Sequence, residues 1–302
     1  MIINQSSLAG LHISYSTAYN KSFEGVQTNY ERIATTVPST TAETNYAWLG
    51  QMPQMREWIG EREIQNLSAY NYSIRNRKFE MTVAVPRDVI EDDQYGVYAP
   101  SFANMGFAAA QHPDQLCFEA LKDGFKKMCY DGKPFFAENH PSGEAGKKRT
   151  ASNMTHAKLD ATSYQSARTA MMLLTGDKGK SLNLVPNLLV VSPTNEHAAR
   201  LILKADQING TSNVLKDTAE ILVATELADK PDMWFLLCTS RFLKPLIYQK
   251  RREMKLVAKT KLEDENVFMR DEYVWGVDGR SNVGYGFWQM AYGSDGTVSE
   301  EG

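Results

Sequence analysis

The feature that most constrains the fold is a run of regular alternation, YNYSIRNRKFEMTVAVP, at residues 70–86. On both sides of a polar centre, apolar side chains occupy every second position. This period of two predicts a β-hairpin, with Asn76 in its turn. Two strands alone are marginally stable in water, so we expect the hairpin to need a covering surface. The alternating apolar residues are Tyr70, Tyr72, Ile74, Phe79, Met81, Val83 and Val85, and Ile64 upstream of the run shares the parity of the first three.

A dense cationic cluster lies at the predicted tip of this hairpin. Arg75, Arg77 and Lys78 fall within four residues of one another. A catalytic clamp, a nucleic-acid contact and a protein–protein contact are all compatible with such a cluster. A solvated turn without any partner is a fourth interpretation, because exposed charges often contribute little free energy.

Composition excludes some classes of protein. The 302 residues suffice for one large or two moderate domains. The formal charge of −3 lacks the basic excess that is typical of a dedicated nucleic-acid binder. No apolar run approaches the ~20 residues of a membrane span, and the N-terminus does not look like a signal peptide. We therefore expect no membrane association and a reducing, intracellular environment.

Motifs of catalysis and metal binding are missing from the sequence. The cysteines Cys117, Cys129 and Cys238 are odd in number and form no CxxC pair. This predicts neither disulfides nor a zinc site, but small buried side chains. The run LTGDKGKSL (174–182) has Leu174 where a phosphate loop needs glycine, and it follows a predicted helix. The histidines show no metal-binding spacing, and we expect no cofactor, no metal and no enzymatic activity.

We predict that residues 1–158 form an arm, then the hairpin, and then helices. The first 50 residues are polar, and we predict an extended arm with some helix around 18–34. A short amphipathic helix is predicted over 53–63. The clearest helix runs from Pro113, placed in its first turn, to Gly132 at its end.

We predict that residues 160–302 form a small α/β unit followed by long strands. The α/β unit has a helix at about 160–175, a second helix after Ser192-Pro193, and strands at 187–191, 220–225 and 233–238. In the C-terminal third, Gly284 and Gly286 permit close approach of strands. One predicted strand face carries Val267, Met269, Tyr273, Trp275 and Val277.

Several long segments of the chain resemble the major head (capsid) proteins of Mu-like tailed phages, the gene product T family. The first lie between Tyr46 and Phe125 and read YAWLGQMPQMREWIGERE, NRKFEMTVAVPRDVIEDDQYGVYAP and AAAQHPDQL. Two later segments are also similar: LNLVPNLLVVSPTNEHAARLIL and RDEYVWGVDGRSNVGYGFWQMAYGS. These motifs are long and composite, and they cover most of the chain after residue 45.

The resemblance implies an α+β fold of the Hong Kong 97 type. That fold has an N-terminal arm, a protruding E-loop hairpin, a peripheral P domain with a long spine helix, and an axial A domain. Long strands then return the chain to the P domain. We expect this division: arm 1–58, E-loop hairpin 59–92, P domain with spine helix 93–158, A domain 159–242, and return to the P domain 243–302.

The function implied by the resemblance is that of the shell subunit of a phage or prophage head. Hexamers and pentamers of the chain would form an icosahedral shell around double-stranded DNA, assembled in the bacterial cytoplasm and retained in the virion. The expected partners are other copies, a separate scaffold, a maturation protease and a portal. Packaged DNA would be contacted weakly and non-specifically, which suits a near-neutral chain.

Under this interpretation the cationic cluster contacts a neighbouring subunit from the E-loop tip. The residues assigned to this contact are Tyr72, Arg75, Arg77 and Lys78, and the acidic patches at 91–93 and 263–265 are candidate partners. Exposed ion pairs contribute only ~0.2–1 kcal/mol each, so burial of the hairpin's apolar face, at ~25 cal/mol per Å², should contribute more.

Two alternatives come from other classes of protein. The first is a soluble α/β enzyme with an unrecognised site in residues 182–240. The second is a nucleic-acid-binding module that uses the basic clusters at 147–149 and 250–252. Neither alternative explains the long predicted hairpin.

Overall fold

The computed structural model describes residues 5–49, 71–92, 95–142, 149–176, 179–208 and 210–298. The described helices are α1 (Gln5–Gly25), α2 (Tyr30–Ile33), α3 (Arg87–Glu91), α4 (Ala99–Asp123), α5 (Ala161–Met172), α6 (Glu196–Lys204) and α7 (Glu265–Arg270), with 3-10 turns at Tyr95–Tyr98, Thr225–Leu227 and Trp288–Met290. The described strands are β1 (Ala34–Pro38), β2 (Glu43–Asn45), β3 (Ser73–Arg75), β4 (Arg77–Pro86), β5 (His140–Ser142), β6 (Arg149–Ala151), β7 (Met154–Ala157), β8 (Leu188–Val191), β9 (Gln207–Ile208), β10 (Thr211–Ser212), β11 (Glu220–Val223), β12 (Trp234–Leu237), β13 (Leu246–Lys259), β14 (Glu272–Tyr285) and β15 (Ala291–Val298).

A four-stranded sheet with the order β1-β13-β14-β4 carries the two longest strands. β14 pairs antiparallel with both β13 and β4, and β1 pairs parallel with β13. Along β14, Tyr273, Trp275 and Val277 are buried, and the residues between them are partly exposed. This alternation shows that one face of the sheet is covered and the other faces solvent.

The covered face packs against α1 and α4. Leu8, Leu11, Tyr15 and Tyr19 recur at helical spacing along α1 and are all buried. The Tyr15 ring stacks on Phe102 of α4 with 4.0 Å between the ring centroids. The prediction of an arm with some helix around 18–34 was therefore wrong in extent, because α1 begins at Gln5 and contributes to a core.

The long helix α4 also differs from its prediction. It starts at Ala99 with Pro100 in its first turn, and Pro113 lies inside it. A proline at this place removes one hydrogen bond, to the carbonyl of Ala109, yet the buried side chains on both sides of it hold the helix together. The helix ends at Asp123, and the predicted terminator Gly132 belongs to a later turn, where its φ is +76°.

The predicted hairpin with a turn at Asn76 was wrong. β3 pairs antiparallel with β2, and β4 pairs with β14, so the two segments on either side of Asn76 are not partners. Asn76 is buried, and its side-chain amide donates to Ser39 Oγ (3.0 Å) and to the Thr41 carbonyl (2.9 Å). A period of two identifies a strand and its buried face but carries no information about its partner.

The pairing of β2 with β3 brings two distant points of the chain together. The chain leaves this short ladder at Asn45 and returns to it at Ser73. The helix predicted over 53–63 and the first part of the predicted hairpin, 64–70, lie outside the described residues.

A five-stranded sheet with the order β11-β8-β12-β15-β7 forms the second main layer. Its central strands β8 and β12 are completely buried, as their uninterrupted apolar sequences predicted. α5 confirms the helix predicted at about 160–175, and its first turn is closed by a capping box between Asp160 and Ser163.

The predicted strand face that starts at Val267 is confirmed only in its second half. Residues 265–270 form helix α7, and Asp271 adopts a left-handed conformation (φ 52°) that separates this helix from β14. Met269 is exposed, whereas Tyr273 and Trp275 are buried. Among the described residues, no helix is both long enough and apolar enough to cross a membrane.

Candidate assembly surface

The strand register places the cationic cluster beside further cations. In the sheet, Lys78 of β4 lies opposite Arg280 of β14, and Arg280 lies opposite Arg252 of β13. Arg77 lies opposite Ser281, one position further along. The consecutive strands β13 and β14 and the distant strand β4 therefore contribute one row of positive charge, which we call the cationic row (Lys78, Arg280 and Arg252).

Arg75 is held at the same end of the sheet by a hydrogen bond of its backbone. Asn282 of β14 donates through Nδ2 to the Arg75 carbonyl oxygen at 2.7 Å. The Arg75 side chain is exposed. The structure thus brings Arg75, Arg77 and Lys78 together, at the edge of a sheet and not at a hairpin tip.

Arg77 lies above an aromatic side chain. Its guanidinium carbon is 5.2 Å from the centroid of the Phe79 ring, a distance at which a cation and a ring face attract each other. Phe79 in turn makes an edge contact with His112 of α4, with 4.2 Å between the centroids. Burial, followed by the charge of Arg77, lowers the pKa of His112.

The electrostatics of the row are incomplete within the described chain. Arg252 forms an ion pair with Asp278. Lys78 and Arg280 have no ion pair among the described residues, and Nε of Arg280 is buried without a hydrogen bond there. Like charges in directly opposed positions destabilise a sheet, so this arrangement is suited to an anionic partner.

An acidic pair lies next to the cationic row. Asp278 and Glu80 are opposed two register positions away, at the next pair on the same face of β14 and β4. The outer face of the sheet therefore presents positive and negative charge in adjacent rows. Such a pattern can fix the register of a complementary surface, because a shifted partner would bring like charges together.

Tyr72 is integrated into the chain more closely than the three cations. It is half-buried, and its hydroxyl accepts a hydrogen bond from the Tyr285 amide at 2.7 Å. Burial raises the pKa of Tyr72 to about 12. Its assignment to an inter-subunit contact stays a prediction, as do the assignments of the three cations.

A buried polar network supports this end of the sheet. The Gln249 side chain is fully buried, and its Nε2 donates to the Ile74 carbonyl (3.1 Å) and to Asn76 Oδ1 (2.9 Å). The Tyr46 hydroxyl donates to Gln249 Oε1 at 2.9 Å. The network joins β3 to β13. The sequence did not predict it, because Ile74, Asn76 and Tyr46 each lie 173 or more residues from Gln249 along the chain.

The two acidic patches differ in availability. In the first, Glu91 already pairs with Arg87 at 2.7 Å, and residue 93 lies outside the described residues. In the second, Glu263 and Glu265 are exposed, at the turn between β13 and α7. The patch at 263–265 is thus the better placed of the two to meet another molecule.

Comparison with known proteins identifies the family. A family model described as the Mu-like prophage major head subunit gpT matches residues 8–158, 154–227 and 223–302. The chain belongs to this family. The resemblance noted in the sequence is therefore confirmed.

Individual relatives agree with the family match. The major capsid protein of Escherichia phage Mu is 34% identical over 299 residues, which are 99% of this chain and 77% of that protein. The Mu-like prophage FluMu major head subunit of Haemophilus influenzae is 35% identical over 291 residues, 96% of this chain and 74% of that protein.

A solved structure confirms the fold. A chain of the procapsid of bacteriophage JBD30 superposes with a TM-score of 0.64 at 35% sequence identity, over 97% of this chain and 76% of that chain. The fold is the α+β capsid fold of the Hong Kong 97 type. As a member of the gpT family, the chain functions as a major capsid protein of a Mu-like phage or prophage, and nothing in these similarities supports the alternative of an α/β enzyme.

Proposed function

We propose that the chain assembles with copies of itself, as hexamers and pentamers, into an icosahedral shell around double-stranded DNA. It does so in the cytoplasm of the bacterial host and remains in the virion. Its role is geometric closure by identical subunits and involves no catalysis. A separate scaffold, a maturation protease and a portal take part, and DNA is contacted only weakly.

The cationic row is the observation that carries the proposed contact between subunits. Lys78 and Arg280 are like charges on opposed positions of an exposed sheet face, without an anionic partner in the described chain. A neighbouring subunit that places acidic side chains on this row would relieve the repulsion. The exposed patch at 263–265 supplies such side chains on every copy.

We retain the domain division as a proposal, with one change at the E-loop. The pairing of β2 with β3 favours Asn45 and Ser73 as the base of the E-loop. In this arrangement Arg75, Arg77 and Lys78 lie beside the base of the E-loop and on the P-domain sheet. Together with Tyr72, they form the proposed inter-subunit contact.

Electron microscopy and sedimentation of the purified chain, over a range of concentrations and salt, test the proposal. We expect rings, sheets, tubes or closed shells that loosen as salt rises, because the Debye length falls from ~10 Å at 0.1 M to ~3 Å at 1 M. The triple variant Arg75→Glu, Arg77→Glu, Lys78→Glu should stay folded but fail to assemble. The charge-matched control Lys126→Glu, Lys216→Glu, Lys230→Glu changes exposed cations outside both proposed surfaces and should assemble.

A charge exchange then identifies the partner surface. Glu263→Lys and Glu265→Lys, combined with the triple variant, should restore part of the assembly, because opposite charges again face each other across the contact. Normal shells from the triple variant would disprove the contact. A uniformly monomeric wild-type chain in the presence of a scaffold would disprove self-assembly itself.

A further inference from the structure

A compact turn after α4 brings two potential metal ligands to one side. A bridge between Met128 and Pro134 closes the turn, and the Cys129 amide donates to the Lys133 carbonyl at 2.7 Å. Gly132 adopts the left-handed conformation (φ +76°) that such a tight reversal needs. As a result, the Cys129 thiol lies 3.1 Å from Oδ1 of Asp131.

A histidine from another segment completes the cluster. His140, the first residue of β5, is fully buried, and its Nδ1 is 2.6 Å from Oδ2 of Asp131. Its ring stacks on Trp288 with 4.2 Å between the centroids and 7° between the planes. Nε2 of His140 is buried and has no hydrogen-bond partner among the described residues. The ring is therefore held rigidly, with Nδ1 directed at the carboxylate.

The cluster lacks a fixed positive charge. The Asp131 side chain is only 2% exposed, and among the described residues its ion-pair partner is His140 alone. Besides its contact with His140, the Asp131 carboxylate accepts hydrogen bonds through Oδ1 from the Cys129 thiol (3.1 Å) and the Lys133 amide (3.0 Å), so the three side chains converge on one point. A buried carboxylate is costly unless it is paired and hydrogen-bonded, and a bound cation would pair with it directly.

We propose that Cys129, Asp131 and His140 bind a zinc ion. Their donor atoms lie within 4.8 Å of one another, and ligands around tetrahedral zinc are about 3.3–3.8 Å apart, so displacements of less than about 1 Å create the site. Thiolate, imidazole and carboxylate are all ligands that zinc accepts. Calcium and magnesium are disfavoured because they prefer oxygen ligands alone.

The charges and protons of the binding reaction balance. The Cys129 thiol loses its proton to solvent, and His140 binds through Nδ1 with its remaining ring proton on Nε2. Thiolate and carboxylate then neutralise the two positive charges of the ion, so that the buried site carries no net charge. A water molecule takes the fourth coordination position. The ion would join the end of the spine helix to the β5 segment and, through the His140 ring, to Trp288.

Direct measurement of bound metal tests this inference on the full-length chain. The chain is loaded with zinc sulfate, passed over gel filtration, and analysed for metal by mass spectrometry. We expect about one zinc ion per wild-type chain. In Cys129→Ser, the serine hydroxyl can keep the hydrogen bond to Asp131, so the fold should persist. Its zinc affinity should fall more than about tenfold, because losing even a residue that only hydrogen-bonds to a metal ligand lowers metal affinity about 10–100-fold. The control Cys238→Ser, at another buried cysteine, should bind zinc like the wild type.

Two further readouts separate a metal site from a hydrogen-bonded cluster. Cobalt substituted for zinc should give a thiolate-to-metal charge-transfer band in the wild type and in Cys238→Ser, but not in Cys129→Ser. Zinc should also raise the thermal unfolding midpoint of the wild type, since a ligand of the native state stabilises it, and a chelator should lower it again. A wild-type chain that retains no more zinc than Cys129→Ser, or equal thermal shifts in both, would overturn the site. Either result leaves the shell function untouched, because that function is tested by assembly.

Discussion

The backbone of Tyr19 in α1 passes directly over Gly106 in α4. A Cβ atom added to Gly106 would lie 2.2 Å from the Tyr19 carbonyl oxygen and 3.0 Å from its carbonyl carbon. The atoms that such a Cβ would meet belong to the backbone of α1 and not to a flexible side chain, so they can be displaced only if the helix itself shifts. The close contact between α1 and α4 therefore requires a residue without a side chain at position 106.

Replacing this glycine should loosen α1. Gly106→Ala should lower the free energy of unfolding by about 1–3 kcal/mol, the usual cost of overpacking a core. Chemical denaturation of the unassembled chain measures the effect. Gly10→Ala is a matched control in α1, because a Cβ there meets nothing within 4 Å. It should stabilise the chain by up to about 1 kcal/mol through helix propensity, and equal effects of the two changes would contradict the close approach.

The buried amide of Gln249 should be essential for the end of the sheet that carries the cations. Gln249→Leu leaves the Tyr46 hydroxyl, the Ile74 carbonyl and the Asn76 side chain without their partner. Unsatisfied buried groups cost about 1–3 kcal/mol each, so for three groups we expect a loss of about 3 kcal/mol or more in the same denaturation experiment. The exposed Gln207→Leu is the control. A loss below about 0.5 kcal/mol would show that water replaces the amide.

Asp114 should give the chain a characteristic pH dependence. From α4 its carboxylate accepts the amide hydrogens of Asn29 (2.9 Å) and Tyr30 (2.6 Å) at the start of α2. Burial nevertheless raises the pKa of Asp114 above its ordinary value of 3.8, and these hydrogen bonds only partly offset the rise. The folded state thus binds the proton more tightly than the unfolded state, and this contribution to stability is lost as pH rises from 3.8 through the folded-state pKa.

The substitution Asp114→Asn isolates this effect. It keeps an acceptor oxygen but cannot ionise, so the stability of the wild type relative to the variant should fall as pH increases from about 4 to about 7. Denaturation midpoints at several pH values provide the measurement. Asp88→Asn, at an exposed position, is the control. A stability difference that is constant with pH would show that Asp114 titrates alike in both states.

Arg280 should act on assembly without affecting the monomer. Arg280→Gln removes the middle charge of the cationic row and with it the repulsion from Lys78 and Arg252, so the unfolding midpoint should stay at or slightly above that of the wild type. Shells or rings should instead dissociate at lower salt, as judged by sedimentation. Arg200→Gln, an exposed arginine on α6 that pairs with Glu196, should leave the salt dependence of assembly unchanged. Identical salt curves for both variants would remove Arg280 from the contact.

Local patterns in the sequence were sufficient to predict the strands and helices that are either buried along their whole length or covered on one face. The apolar runs of β8 and β12, the alternation in β4 and β14, and the helical spacing in α5 each reflect a regular relation between backbone geometry and burial. The gpT family resemblance rests on long segments of the same kind. These features need only neighbouring residues, so they can be read without knowledge of the partner.

Only the tertiary structure decided which strands pair and which distant residues meet. The alternation on both sides of Asn76 is real, but β3 pairs with β2 and β4 with β14, because pairing depends on register and loop closure over the whole chain. Arg280 joins Lys78 for the same reason. His140 meets Cys129 and Asp131 because the turn after α4 folds against β5. No local period encodes such contacts, since they arise when elements that are separate in sequence bury their apolar faces against a common core.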